Sequence, residues 1–208
     1  MKILDKSPTE IIDIIRKDNP EIDAVIALSE SVKNPYKGSM QQYQAACLYA
    51  LAKRYNRKDE KIVSVLEIGT GKGYSTSYLV QALPKSWITS LSVRADEQLE
   101  AKNAIERLGF RDVDFVTVNS RDYFVDDNDS YDLIFVDGDH ARVQKDLVYW
   151  NSLNKGGLIL FHDYCPFDAA NPQPHVYRVL NEFSTEINQS FDVEIVDNVK
   201  IGMVGFYK

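Results

Sequence analysis

Five side chains stand out by type and spacing as able to do acid–base or cation chemistry. Asp137, Asp139 and His140 follow directly on the apolar run Tyr131–Val136, and His162 and Asp163 follow directly on Leu158–Phe161. The chain has only 3 His, and two of them fall in these segments. Carboxylates gathered at one mouth repel one another unless a cation or a bound ligand offsets the charge. An imidazole, with an ordinary pKa of about 6.5, can take a proton at neutral pH. Each residue also has a bland role open to it: Asp137 as a helix cap, His162 as a half-buried strand end.

A second segment is Val65-Leu66-Glu67-Ile68-Gly69-Thr70-Gly71-Lys72-Gly73-Tyr74-Ser75-Thr76. Glycines at 69, 71 and 73 permit a tight turn and let a ligand lie against bare backbone, with the N-terminus of the following helix presented to it. The spacing is G-x-G-x-G, not the G-x-G-x-x-G of a dinucleotide site. Glu67, two positions before the first glycine, would repel a pyrophosphate and attract a ligand carrying sulfonium and ammonium groups. That charge logic favours S-adenosylmethionine over NAD. A glycine turn without a ligand is the plain alternative.

These residues need a scaffold. Short apolar runs at Ile62–Ile68, Trp87–Val93, Val113–Val118, Tyr131–Val136 and Leu158–Phe161 read as strands. Between them, Tyr74–Leu83, Asp96–Leu108 and Ala141–Leu153 read as helices, and Val176–Ile187 follows as another. Phe191–Val196 and Ile201–Tyr207 alternate apolar and polar residues about Asp197-Asn198, as a β-hairpin does. The fold class is α/β: a Rossmann-like, doubly wound, mostly parallel seven-stranded sheet with a C-terminal antiparallel hairpin and N-terminal helices. Ligands in such sheets sit beyond the carboxyl ends of the strands. The first sixty residues read as helical. Ser7-Pro8-Thr9-Glu10 fits a capping box, and Met40–Tyr55 reads as a helix. Residues 1–60 are expected to form a helical extension, serving as a lid and as a homodimer contact, and residues 61–208 the ligand-binding domain.

The loop resembles motif I of the class I S-adenosylmethionine-dependent methyltransferases, an apolar strand followed by E-x-G-x-G-x-G, and the resemblance runs from Lys61 to Lys208. It implies that Glu67, Gly69, Thr70, Gly71, Gly73, Tyr74 and Ser75 wrap the methionine portion of the cofactor. Ser120 and Arg121 fall where the family contacts the adenine ring. Ser92 stands where the family usually carries an acidic residue for the ribose diol, with Asp96 and Glu97 a turn later. The segments around residues 137 and 162 resemble the metal-dependent small-molecule O-methyltransferases of the catechol and caffeoyl-coenzyme A type and their sugar- and antibiotic-modifying relatives. That resemblance puts Asp137 on the first metal ligand and beside the cofactor, and His162 and Asp163 on the Asp-Asn metal pair. It puts His140 on the catalytic base, with Asp137 as the second catalytic residue. Imidazole is a poor Mg²⁺ ligand, so either the divalent metal differs or His162 only borders the site. The resemblance places Tyr36, Met40 and Gln41 over the cofactor, with core packing the plainer role for Met40, and Tyr164, Pro166 and Phe167 on the acceptor side.

A net charge of −7 over 208 residues argues against a duplex-binding protein, and no run is long enough to span a bilayer. Two separated cysteines, Cys47 and Cys165, read as reduced thiols. The expectation is a cytoplasmic enzyme that methylates a hydroxyl of a small-molecule acceptor. Ser92 leaves open a non-catalytic S-adenosylmethionine-binding protein that kept the fold.

Overall fold

The computed structural model describes residues 1–32, 40–56, 62–123, 130–165, 174–199 and 201–208. The chain opens with strand β1 (Lys2–Lys6), then helices α1 (Pro8–Asp18), α2 (Ile22–Ser29) and α3 (Gln42–Lys53). It continues through β2 (Val63–Ile68), α4 (Tyr74–Ala82), β3 (Ser86–Ser92), α5 (Ala95–Arg107), β4 (Val113–Thr117) and β5 (Tyr131–Val136). A 3₁₀ segment, His140–Trp150, leads to β6 (Leu153–Tyr164), α6 (Pro174–Glu186), β7 (Val193–Asp197) and β8 (Gly202–Tyr207).

These strands form one sheet in the order β1-β7-β8-β6-β5-β2-β3-β4, and only β8 runs antiparallel to its neighbours. Successive strand residues point to opposite faces, so Val65, Leu133 and Leu160 pack with Leu48, Leu51 and Tyr78 on one side. Leu66, Ile134 and Phe161 pack with Tyr149, Val176 and Leu180 on the other. The doubly wound reading holds. The chain runs outward from β2 through β3 to β4, then crosses to β5 on the other flank of β2. The order therefore reverses between β2 and β5, and a crevice opens at their carboxyl ends.

Three local features depart from the sequence reading. The sheet has an eighth strand, β1, in a stretch read as helical. Lys2, Asp5 and Lys6 break any apolar run there, only Ile3 is buried, and the strand exists through parallel pairing with β7. The segment read as an α-helix from Ala141 is 3₁₀ with a break at Arg142. The third is β6, which starts at Leu153. The strand was expected only over Leu158–Phe161; Lys155-Gly156-Gly157 is an irregularity inside it, with Gly156 at φ +78°. Tyr36, Pro166 and Phe167 lie outside the described residues. Among the described residues no helix is long and apolar enough to cross a membrane.

The junction of β2, β3 and α4 is built on a buried carboxylate. Glu67, next to last in β2, is fully buried. Ser75 and Thr76, in the first turn of α4, donate hydroxyls to it at 2.6 Å each, and Ser90 of β3 donates a third. Burial pushes the Glu67 pKa up against the lowering pull of these hydroxyls. Glu67→Ala would take the carboxyl partner from the buried Ser75 and Thr76 hydroxyls, each an unsatisfied polar group costing about 1–3 kcal/mol, and leave Ser90 its pairing with Thr70. Unfolding in urea should show a stability loss of at least about 2 kcal/mol, with Glu67→Gln milder because the hydroxyls can rotate. Unchanged stability in the alanine variant would mean the junction does not depend on this group.

Candidate active site

A cleft of about 550 Å³ lies at the crevice where the strand order reverses. Its floor is the loop after β2. Gly69, Gly71 and Gly73 all have positive φ, at +102°, +50° and +88°, a region that side chains other than glycine's rarely enter. A Cβ on Gly69 would stand 2.1 Å from the carbonyl oxygen of Asp137, so glycine lets the loop press against the end of β5. A Cβ on Gly71 would meet nothing; its backbone is open to the cleft. Gly73 does not line the cleft. It is the N-cap of α4, and a Cβ there would stand 3.0 Å from Ala101 of α5, so it serves helix packing.

Thr70, Tyr74 and Ser75 line the cleft. Glu67 does not. The expectation that its charge faces a cationic ligand is corrected here: the carboxylate points into the β2–β3–α4 junction, with Ser75, Thr76 and Ser90 occupying its oxygens. It shapes the loop from behind.

The end of β3 contributes Ser92, whose Oγ accepts the amide N–H of Arg94 at 3.1 Å. Asp96 points outward, with a side chain 69% exposed. Glu97 lines the cleft and lies 3.2 Å from the Arg94 guanidinium. A carboxylate is therefore present beside Ser92, one helical turn along. Sequence spacing could not separate Glu97 from Asp96, because both sit in the first turn of α5. After β4, Ser120 lines the cleft and donates to the buried Asp146 at 2.7 Å. Arg121 is exposed, bonds Asn119, and does not line the cleft. Asn119 takes that place, and the sequence reading passed over it. Met40 lines the cleft while remaining core-buried. Gln41 is the exposed N-cap of α3. Tyr164 belongs to the core and not to an acceptor face: it packs on Tyr177 and Phe191, and its hydroxyl accepts from Asn181.

On the β5–β6 side the structure brings the four predicted groups together. Asp137, His140, His162 and Asp163 each offer an atom within 4.8 Å of the others. Their convergence depends on a break in β6. Consecutive strand residues would normally face opposite ways. Here Asp163 takes φ +55°, and the pairing of β6 with β8 shifts register between Phe161 and Tyr164, so both His162 and Asp163 reach the same cluster. Such irregularities commonly re-aim side chains beside functional sites. His162 is almost fully buried, with Nδ1 2.9 Å from Asp137 Oδ1 and 3.3 Å from Asp163 Oδ1. His140 sits 3.4 Å from each of the same carboxylates, through Nε2 and Nδ1. Asp139 is exposed at the rim and accepts the Ala141 amide.

The electrostatics follow from this packing. Burial works against the Asp137 charge, but His162 and His140 outweigh it and hold the carboxyl at about 2. Burial likewise disfavours a charged His162, yet Asp137 and Asp163 push it up to about 9. His140 is also raised, its burial outweighed by Asp137 and Asp163. The cluster thus attracts positive charge, as protons on imidazole or as a metal ion. Two carboxylates and two imidazoles are a donor set that fits a divalent cation, and the buried His140 Nε2, though 3.4 Å from Asp137, makes no well-aligned hydrogen bond among the described residues. Of the four, Asp137 and His140 line the cleft itself; His162 and Asp163 stand behind them.

Comparison with known proteins agrees with this architecture. A family model described as a methyltransferase domain matches residues 66–164. No curated protein matches the chain in sequence. Among solved structures, the chain is similar to an O-methyltransferase from Bacillus cereus in complex with SAH, with 18% identity, TM-score 0.66 and 91% of each chain covered. It is similar to the O-methyltransferase TomG from Streptomyces achromogenes, involved in tomaymycin synthesis and in complex with SAM. There the identity is 16% and the TM-score 0.65, covering 90% of this chain and 89% of that one. SAH-bound methyltransferase PaMTH1 from Podospora anserina matches at 16% identity and TM-score 0.65, over 96% of this chain and 94% of its own. At these identities the likeness establishes the fold. Residues 66–164 match a methyltransferase domain, and the chain has the Rossmann-like fold of these solved methyltransferases.

Proposed function

We propose that the chain transfers a methyl group from S-adenosylmethionine to a hydroxyl of a small-molecule acceptor, with a divalent cation at the Asp137 cluster. One observation supports this above the rest: the bare backbone of Gly69–Gly71 and the side chains of Asp137 and His140 line the same cleft. The methyltransferase architecture and the solved relatives with SAM or SAH bound supply the cofactor reading. When bound, S-adenosylmethionine supplies an electrophilic methyl, and a divalent cation lowers the pKa of a coordinated hydroxyl.

The chain's own residues have separable tasks. Gly69 and Gly71 admit the cofactor to main-chain contact, and Glu97 offers the ribose diol the carboxylate that Ser92 lacks. Asp137, Asp163 and His162 hold the cation. His140 accepts the hydroxyl proton on a ring nitrogen, and the two carboxylates beside it stabilise the imidazolium that results. The cleft is of small-molecule size, which with the acidic chain favours a small acceptor over nucleic acid. Cys47 and Cys165 are both buried, and neither is in a disulfide; a reducing, cytoplasmic setting suits such thiols.

Calorimetry with S-adenosylhomocysteine should give saturable binding, and its absence at millimolar ligand removes the cofactor reading. Glu97→Gln should weaken that binding about tenfold, the value of one hydrogen bond to a charged group; equal affinity would return the residue to a solvent role. Because His140 must be neutral to act, and its pKa lies above the ordinary 6.5, the rate should climb as pH rises beyond that value. His140→Ala should cost about 10²–10⁴ in turnover and flatten the pH profile while S-adenosylhomocysteine still binds. Turnover unaffected by this change, or absent with every hydroxylated acceptor tried, would favour the non-catalytic reading that Ser92 motivates.

A further inference from the structure

Gln44, in the first turn of α3, is 1% exposed and touches the cluster from behind. Its Oε1 accepts two N–H groups, the Gln41 amide at 2.8 Å and His162 Nε2 at 3.0 Å. Its own Nε2 is buried with no hydrogen-bond partner among the described residues. Turning the amide over would set N–H against the Gln41 N–H. The orientation is therefore fixed by the acceptor role of Oε1, at the expense of an unsatisfied donor.

An oxygen acceptor opposite Nε2 requires that nitrogen to carry a proton. A neutral His162 then presents the lone pair of Nδ1 to Asp137 and Asp163, whose nearest oxygens lie 2.9 and 3.3 Å away. A lone pair facing two carboxylate oxygens is stable only with a positive charge among them. Metal-binding histidines are commonly arranged in this way, with the distal N–H donated to an oxygen that sets tautomer and ring angle.

We infer that Gln44 is a positioning residue that fixes His162 in the Nε2–H form, so that the cluster selects a divalent ion that accepts nitrogen, of the Mn²⁺, Fe²⁺, Co²⁺ or Zn²⁺ class, over Mg²⁺ and Ca²⁺. This rests on the cation reading proposed above and adds its selectivity and the residue that sets it. Imidazole ligation disfavours the hard, oxygen-seeking ions. The same bond joins the cation site to the N-terminal turn of α3, since Gln44 also closes the cap at Gln41.

The test uses the full chain, stripped of metal and titrated with Co²⁺, followed by the visible absorption of the ion and by calorimetry, with Mg²⁺ as comparison. Co²⁺ should bind at least about 100-fold more tightly than Mg²⁺. Gln44→Met, similar in length but without an acceptor, should weaken Co²⁺ by about 10–100-fold. Gln44→Glu, which keeps an oxygen at that place, should restore it. S-adenosylhomocysteine binding, measured on each variant, should not change and reports that the variant is folded. Should Gln44→Met retain that binding and take up Co²⁺ as the parent does, the role of Gln44 is overturned. Equal affinity for Mg²⁺ and Co²⁺ in the parent overturns the selectivity. A parent that binds neither ion overturns the cation reading itself and leaves the cofactor reading to its own measurement.

Discussion

The structure depends on a carboxylate placed where water does not reach. A buried carboxyl group is tolerated only when its oxygens are hydrogen-bonded. Glu67 meets that condition with hydroxyls from two different elements, Ser90 on β3 and Ser75 and Thr76 on α4. Satisfying it fixes the position of the helix relative to two strands. The chain between them, residues 69–73, must then turn back sharply, and three left-handed glycines let it do so. Ser90 also pairs with Thr70 at 2.7 Å, so the hydroxyl network reaches the floor of the cleft. The loop's shape is thus a consequence of satisfying a buried carboxyl group and needs no ligand to impose it. A cofactor site formed in advance loses less ordering entropy on binding.

The opposite wall solves an electrostatic problem with other means. Asp137 and Asp163 would repel each other, and His140 and His162 stand among them. The arrangement requires β6 to break its alternation at Asp163, a residue type that tolerates the left-handed region better than most. Here geometry is spent on converging groups, whereas around Glu67 it is spent on isolating one.

Much of this was legible in the sequence because the signals are local and periodic. The β5 run, Tyr131–Val136, coincides with its predicted bounds, since the apolar stretch Leu133–Val136 ends abruptly at Asp137 and Ser130 precedes it. The glycine spacing likewise announced the turn. What was not legible depends on distant partners. β1 is a strand only because β7 lies beside it. The inward aim of Glu67 needs Ser90, 23 positions away, and no spacing rule connects the two. Asn119 and Arg121 lie two positions apart, and only the 3₁₀ turn decides which faces the cleft. Gln44 reads as one more polar position in a helix of good helix formers, and its bond to His162 spans 118 residues.

The topology brings the two walls to one cleft. Strands β2, β3 and β4 deliver the glycine loop, Ser92 and Glu97, and Ser120; β5 and β6 deliver the carboxylates and imidazoles. Between β2 and β5 the strand order reverses, so no crossover helix fills the space above their ends. The loop after β2 meets the end of β5 directly: the Asp137 amide donates to the Ile68 carbonyl at 2.8 Å, and Gly69 leaves room for the Asp137 carbonyl. The residue that begins the polar cluster is therefore held by backbone to the loop that would hold the cofactor. Methyl transfer gains most from positioning two reactants in line, and a main-chain bond at their boundary fixes that relation more firmly than long side chains could. Selection for a particular acceptor can then act on the surrounding loops without disturbing it.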